Sequence, residues 1–230
     1  MYTDREETPV LCLKLDPRHF FLIFSLSLLG TLSLHPQCPD TGQSKVFQSK
    51  AGKGFYVYEF LGESSFQYFL EGTNFSFNDK DNPGKTYIFV DKMAYEPLLI
   101  ERAQLQEYTK SSKAIDILAA QAKYEQGYFK RTDPSMSITD YGPASMKNPD
   151  GSDGRLFYLW KKESAPGKTA ATQYLVSTMI NDRLFVMSFM PKEGSIPEDE
   201  MMRQIQSYTS HFDLVSGTQC AQVLGPSTSH

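Results

Sequence analysis

The chain of 230 residues carries 23 Lys and Arg against 27 Asp and Glu, a formal net charge of −4. With no long run of either sign, it has neither the basic stripe that nucleic acid demands nor the cationic patch that would hold an anionic membrane surface. Its three cysteines form no CxxC pair, which excludes a zinc ribbon or a thioredoxin-type site.

The first element is the apolar run over residues 20–34, FFLIFSLSLLGTLSL. It is shorter than the roughly 20 residues of a membrane span and fits the ~7–15 residues of a signal-peptide core. Residues 1–33 are therefore predicted to be a signal peptide or, if uncleaved, a membrane anchor. Thr31-Leu32-Ser33 puts small residues at the two positions a signal peptidase reads, so the mature chain would begin at Leu34. The preceding segment is not basic: Asp4, Glu6, Glu7 and Asp16 outnumber Arg5, Lys14 and Arg18. A translation start at Val10, Leu11, Leu13 or Leu15 would leave Lys14 and Arg18 with fewer acids. A buried core segment is the weaker alternative, because His35-Pro36-Gln37 ends the run without further periodicity. The expected location is extracytoplasmic, periplasmic or secreted, with membrane contact only through an uncleaved N-terminal segment.

Cys12 falls in the segment expected to be removed, leaving Cys38 and Cys220 near the two ends. An even count in an exported domain makes the pair a disulfide candidate. Lipidation of Cys38 and two free thiols are the alternatives; His35-Pro36-Gln37 lacks the small residues lipoprotein processing favours.

Residues 34–53 are polar and turn-rich and read as a linker. Strands are predicted over 55–60, over 71–78 with Phe75 and Phe77 on one face, and over 86–93. A helix over 113–130 follows from the spacing of Ile115, Leu118, Ala119, Ala122 and Phe129. Ile117, Tyr124 and Tyr128 widen its apolar face, Ser112 caps it, and Asp133-Pro134 stops it. Strands over 156–163, 169–180 and 183–190 have short connections and form an antiparallel meander. The last should be central, since Phe185, Met187 and Phe189 share one apolar face and Leu184, Val186 and Ser188 the other. A closing helix over 197–211, capped by Ser195 with Glu198 three residues on, turns Met201, Ile205, Tyr208 and Phe212 inward. Residues 216–230 read as a tail, leaving one α+β domain over 54–215.

The segments RLFYLW, QYLVSTMINDRLFVMSFM and MMRQIQSYTSHFDLV within residues 154–215 resemble the PsbP, Mog1 and DcrB group of α/β/α sandwiches. Gly54-Phe55-Tyr56-Val57-Tyr58 loosely echoes that group's early Gly-aromatic strand. The resemblance implies an antiparallel sheet covered by helices and a non-catalytic accessory or binding protein. It carries no ligand residues.

The residue inventory assigns no catalytic, cofactor-binding or metal site. After the apolar run only His35, His211 and His230 remain, and His211 fits the negative end of a helix dipole. Gly167-Lys168-Thr169 is not a phosphate loop, because Lys162 stands where its first glycine belongs. Gly52-Lys53-Gly54 lacks the third glycine of a dinucleotide fingerprint. The acidic stretches 78–82 and 148–154 miss the calcium-loop register, and their Asn, Asp and Gly suit turns. Asn74-Phe75-Ser76 matches a glycosylation sequon, and Trp160 is expected in the core. The reading is an exported, non-enzymatic protein that binds an unknown protein or small ligand at a sheet face or the Pro149-Asp150-Gly151 loop. The alternative is a carboxylate-dependent hydrolase, which would need paired acids such as Glu163 and Asp182.

Overall fold

The computed structural model describes residues 9–12, 38–78, 87–147, 153–165, 172–191 and 196–224. The apolar run over 20–34, its expected cleavage site and the loops 79–86, 148–152 and 166–171 lie outside them.

The elements, in chain order, begin with β1 (Pro9–Cys12), β2 (Asp40–Gln48), β3 (Gly54–Leu61) and, after a 3-10 turn at Gly62–Ser64, β4 (Phe66–Glu71). They continue with β5 (Phe75–Asn78), β6 (Tyr87–Val90), β7 (Met93–Ile100), α1 (Arg102–Leu105) and α2 (Ala114–Thr132). Then come β8 (Ser137–Lys147), β9 (Asp153–Glu163), β10 (Gln173–Ile180), β11 (Arg183–Pro191), α3 (Glu198–Ser210), β12 (Asp213–Leu214) and α4 (Gly217–Leu224). This is an α+β fold with two sheets, in the orders β1-β2-β3-β4-β12 and β5-β6-β7-β11-β10-β9-β8. Every pairing is antiparallel.

The meander β9-β10-β11 forms as its short turns require, and β11 is central, between β10 and β7. Side chains alternate across the pleat, so Phe185, Met187 and Phe189 enter one core while Leu184 and Val186 enter another. The first core is shared by the second sheet, the inner face of the first sheet (Val57, Phe66, Tyr68) and the α3 stripe Met201, Ile205 and Tyr208, with Phe212 just beyond the helix. The second is roofed by α2 through Ile117, Leu118 and Ala122, and Trp160 is buried there. A third, smaller core lies on the outer face of the first sheet, where Phe47, Tyr58 and Phe60 meet Val215 and the α4 residues Cys220 and Val223. The large sheet is thus covered on both sides, by α2 and by α3 with the smaller sheet.

Several sequence expectations change. Within the presumed linker 34–53, residues 40–48 form β2; Val46 and Phe47 serve opposite faces of a two-sided sheet, which no local alternation reveals. Of the strand expected over 71–78 only Phe75–Asn78 forms, as β5; β4 has no predicted counterpart beyond Glu71, and the chain passes from one sheet to the other at Gly72. Its φ of +148° suits glycine, and a Cβ there would meet Val90 Cγ1 at 2.3 Å. The strand expected over 86–93 is a hairpin, β6 and β7, turned at Asp91 with φ 49°. Strand β8 has no predicted counterpart, and the presumed tail contains α4. Helix α2 begins after Lys113 rather than Ser112, and Tyr124 and Tyr128 face outward. The residue at the α3 N-cap position is Pro197; Ser195 lies outside the described residues.

Candidate functional site

Cys38 and Cys220 are brought together as a disulfide with Cα atoms 5.4 Å apart, tying the start of the first sheet to α4. Both are buried. This is the one pair of sequence-nominated residues that the fold joins.

Glu163 and Asp182 are not joined. Glu163 ends β9 beside the start of β10, whereas Asp182 sits in the turn after β10 ends. The length of that strand separates them by roughly 25 Å at about 3.3 Å per residue. Glu163 instead flanks Lys161, its Oε1 at 3.4 Å from Nζ, and Glu198 at the start of α3 approaches the same Nζ to 3.6 Å. The Tyr141 hydroxyl donates to Glu198, and the Tyr174 ring lies 5.6 Å from the ammonium. Tyr141 reaches this position because the register of β8 on β9 slips between Asp140 and Gly142, where Gly142 takes φ +80°. Burial alone would lower the Lys161 pKa, but Tyr174, Glu163 and Glu198 outweigh it and raise it. An ammonium so held is a poor nucleophile and a poor base. The cluster is an electrostatic clasp between β8, β9, β10 and α3.

A second polar group lies between the sheets. Glu59 on β3 accepts hydrogen bonds from Ser44 Oγ at 2.6 Å and from the Tyr68 hydroxyl at 3.1 Å. Burial lifts its carboxyl pKa from the usual range to about 7, against the opposing pull of those two hydroxyls. Burial also raises Tyr68 and Tyr208 well above the ordinary phenol range. Because the folded-state pKa exceeds the unfolded one, the folded protein binds the extra proton between about pH 4.5 and 7. Stability should therefore be full below that window and fall as pH rises through it. The side chain is only half-buried, so the expected loss is discounted to roughly 2 kcal/mol. Urea unfolding of the parent and Glu59→Gln at pH 5 and pH 8 checks this: the parent should lose stability between the two, and the variant should lose much less.

Grooves open on the surface of the described residues, two of them with apolar lining. One, of about 490 Å³, lies between α1, the start of α2 and the β10–β11 turn; Leu105, Ile117 and Met179 line it with Thr109 and Asn181. The other, of about 750 Å³, lies between the β6–β7 hairpin and α3 and includes Val90, Met93, Ile196 and Pro197. Asp91 on its rim went unnoticed in the sequence. Its carboxylate accepts from the backbone N–H and side chains of Thr73 and Asn74 at 2.9–3.1 Å. Burial would raise its pKa, but these donors outweigh that and lower it. The sequon amide of Asn74 is thereby engaged in shaping a turn.

The exposed large apolar side chains concentrate on the α2 side of the large sheet. Tyr124 (54 % exposed) and Tyr128 (51 %) stand one turn apart on α2, and Tyr108 packs on Tyr124 with ring centroids 4.9 Å apart. Leu98 (48 %) pairs with Val186 and so projects from the same side of the sheet. Helix α2 packs on β8, β9 and β10 and α1 on β11. The other nominated residues are structural: the Trp160 ring packs tilted against Phe129, and His211 at the end of α3 places Nδ1 2.8 Å from the Ser207 carbonyl. Asp79 to Asn82, residues 148–152 and Gly167-Lys168-Thr169 lie outside the described residues. Among the described residues no three His, Cys, Asp or Glu side chains gather as metal ligands, and no helix is long and apolar enough to cross a membrane.

No protein-family model and no curated protein matches the chain. Among solved structures it is similar to cyanobacterial PsbP (CyanoP) from Synechocystis sp. PCC 6803, at 8 % identity and a TM-score of 0.42, over 83 % of this chain and 99 % of that one. It is also similar to a protein from Bacteroides thetaiotaomicron VPI-5482, at 12 % identity and a TM-score of 0.31, over 66 % of this chain and 45 % of that one. The likeness to PsbP is a weak one, in the group that the C-terminal half resembles by sequence.

Proposed function

We propose that this protein is a non-enzymatic, extracytoplasmic binding protein that docks a protein partner through the tyrosine-rich face of α2. The observation that carries this reading is the exposed set Tyr124, Tyr128 and Leu98 on one side of the large sheet, with half-buried Tyr108 packed against Tyr124. Tyrosines supply large, stiff contact area with a polar tip and are enriched at interfaces relative to other surfaces. Support for binding over hydrolysis comes from the acids: Glu163 and Glu198 are occupied by Lys161, and Asp182 is at the far end of the sheet. Support for an oxidising compartment comes from the buried Cys38–Cys220 bond, since structural disulfides persist there and not in a reducing cytosol.

A photo-crosslinking residue placed at Tyr124 or Tyr128 in host cells should give a discrete protein adduct, and one at exposed Gln206 on α3 should not. The adduct should be recovered outside the cytoplasm on a chain that begins near Leu34. Absence of an α2-specific adduct would refute the docking face. An intact N-terminal segment on a cytoplasmic protein would refute the location.

A further inference from the structure

Resting on the docking reading above, we propose that the partner element seated beside the tyrosine-rich flank of α2 is an amphipathic helix with a basic flank, which lies over β6 and β7 and completes the helical layer beside α1 and α2.

The sheet has room for such a helix. On this side α2 packs on β8, β9 and β10 and α1 on β11, and β7, β6 and β5 continue the sheet beyond them. Register decides what those strands present. Leu98 lies opposite Val186, Ala94 opposite Met190, and Phe89 opposite Ala94. Val186 belongs to the core under α2, so all of these face the α2 side. Tyr87 stacks beside Phe89 with ring centroids 6.3 Å apart. The strip is apolar and partly open to water: Leu98 is exposed, and Tyr87, Phe89 and Met190 are half-buried. Three strands at about 4.8 Å spacing span about 14 Å, enough for one helix of about 10 Å diameter.

Charge selects the kind of helix. Glu96, opposite Ser188, stands on the same strip. Glu125 on α2 feels it: burial raises the Glu125 carboxyl above the usual range and Glu96 adds to that, against the Gln121 hydrogen bond and the charge of Lys162. Lys162 itself is held beneath α2, 3.4 Å from the centroid of the Phe129 ring. Glu125 and Glu107 both bear on Tyr108, whose hydroxyl burial and these acids push upward. Arg131 follows Tyr128 by one turn, at the far end of α2 from α1. Like charges gathered along an apolar strip favour a partner helix that brings Lys or Arg to them while its apolar face covers Leu98 and Phe89. They disfavour a second copy of this chain, because an isologous contact would set the same acids against one another.

Two synthetic peptides of about 18 residues serve as probes, one with leucine on one helical face and lysine on the other, and one with glutamate in place of lysine. In fluorescence anisotropy at about 50 mM salt, the lysine peptide should bind the full protein saturably and the glutamate peptide should not. Leu98→Lys, and the double variant Glu96→Gln with Glu125→Gln, should each weaken the lysine peptide about tenfold or more, whereas Glu200→Gln on α3 should leave it unchanged. Leu98 is exposed, so its variant carries the test even where the double variant melts early. No saturable binding of the lysine peptide, equal binding of the glutamate peptide, or binding indifferent to Leu98→Lys would overturn the proposal. The Tyr128 photo-crosslink decides the docking face separately: an adduct in cells together with failure here leaves that face to another kind of partner, and no adduct removes both.

Discussion

Ile205→Asp should leave little cooperatively folded protein at 25 °C. Ile205 is 5 % exposed in the stripe Met201, Ile205 and Tyr208, where α3 meets both sheets. Removing the aliphatic side chain forfeits about 2–4 kcal/mol of burial and packing. The carboxylate must then be desolvated among Phe, Tyr and Met side chains or take up a proton, which costs several kcal/mol more. The sum, on the order of 5 kcal/mol, rivals the whole stability of an ordinary domain. Thermal melting followed by near-ultraviolet circular dichroism reads this directly. Gln206→Asp, one residue on at an exposed position, is the matched control and should change Tm little. A variant at 205 that melts like the parent would refute the packing of α3 against both sheets.

Breaking the Cys38–Cys220 bond is the second large effect. The bond spans 182 residues, and in the chain-entropy account a loop of that length stabilises by about 5 kcal/mol. Relief of native-state constraints usually makes the measured loss smaller, so Cys220→Ser should cost roughly 3–5 kcal/mol in urea unfolding. The loss should begin at α4, because that eight-residue helix rests on the outer core of the first sheet with Cys220 as its buried anchor. Hydrogen exchange over 217–224 should therefore accelerate in Cys220→Ser before the large sheet responds. Both thiols of the native, unreduced protein should resist alkylation. Ready labelling of either would refute the bridge.

Much of the C-terminal half was legible because its signals are local. Alternation in Phe185-Val186-Met187-Ser188-Phe189 marks a strand apolar on both faces, and such a strand must be covered on both sides. Spacing of Met201, Ile205 and Tyr208 marks one helix face, and short turns force antiparallel neighbours. The N-terminal half read less well for a physical reason. Strands β2, β4 and β8 are set by ladders to partners, and β2 and β8 carry many polar residues that show no clean period. The change of sheet at Gly72 is likewise invisible locally, since it depends on how closely Val90 approaches.

The candidate sites divide in the same way. Sequence alone determined that Cys38 and Cys220 were the pair to watch and that Trp160 belonged inside, since these follow from residue type and near neighbours. Only the tertiary structure decided that Glu163 belongs with Lys161 and Glu198 rather than Asp182, and that Glu59 rests between Ser44 and Tyr68. Charge pairing and burial depend on distances between segments far apart in the chain, and those distances exist only once register and layer order are fixed.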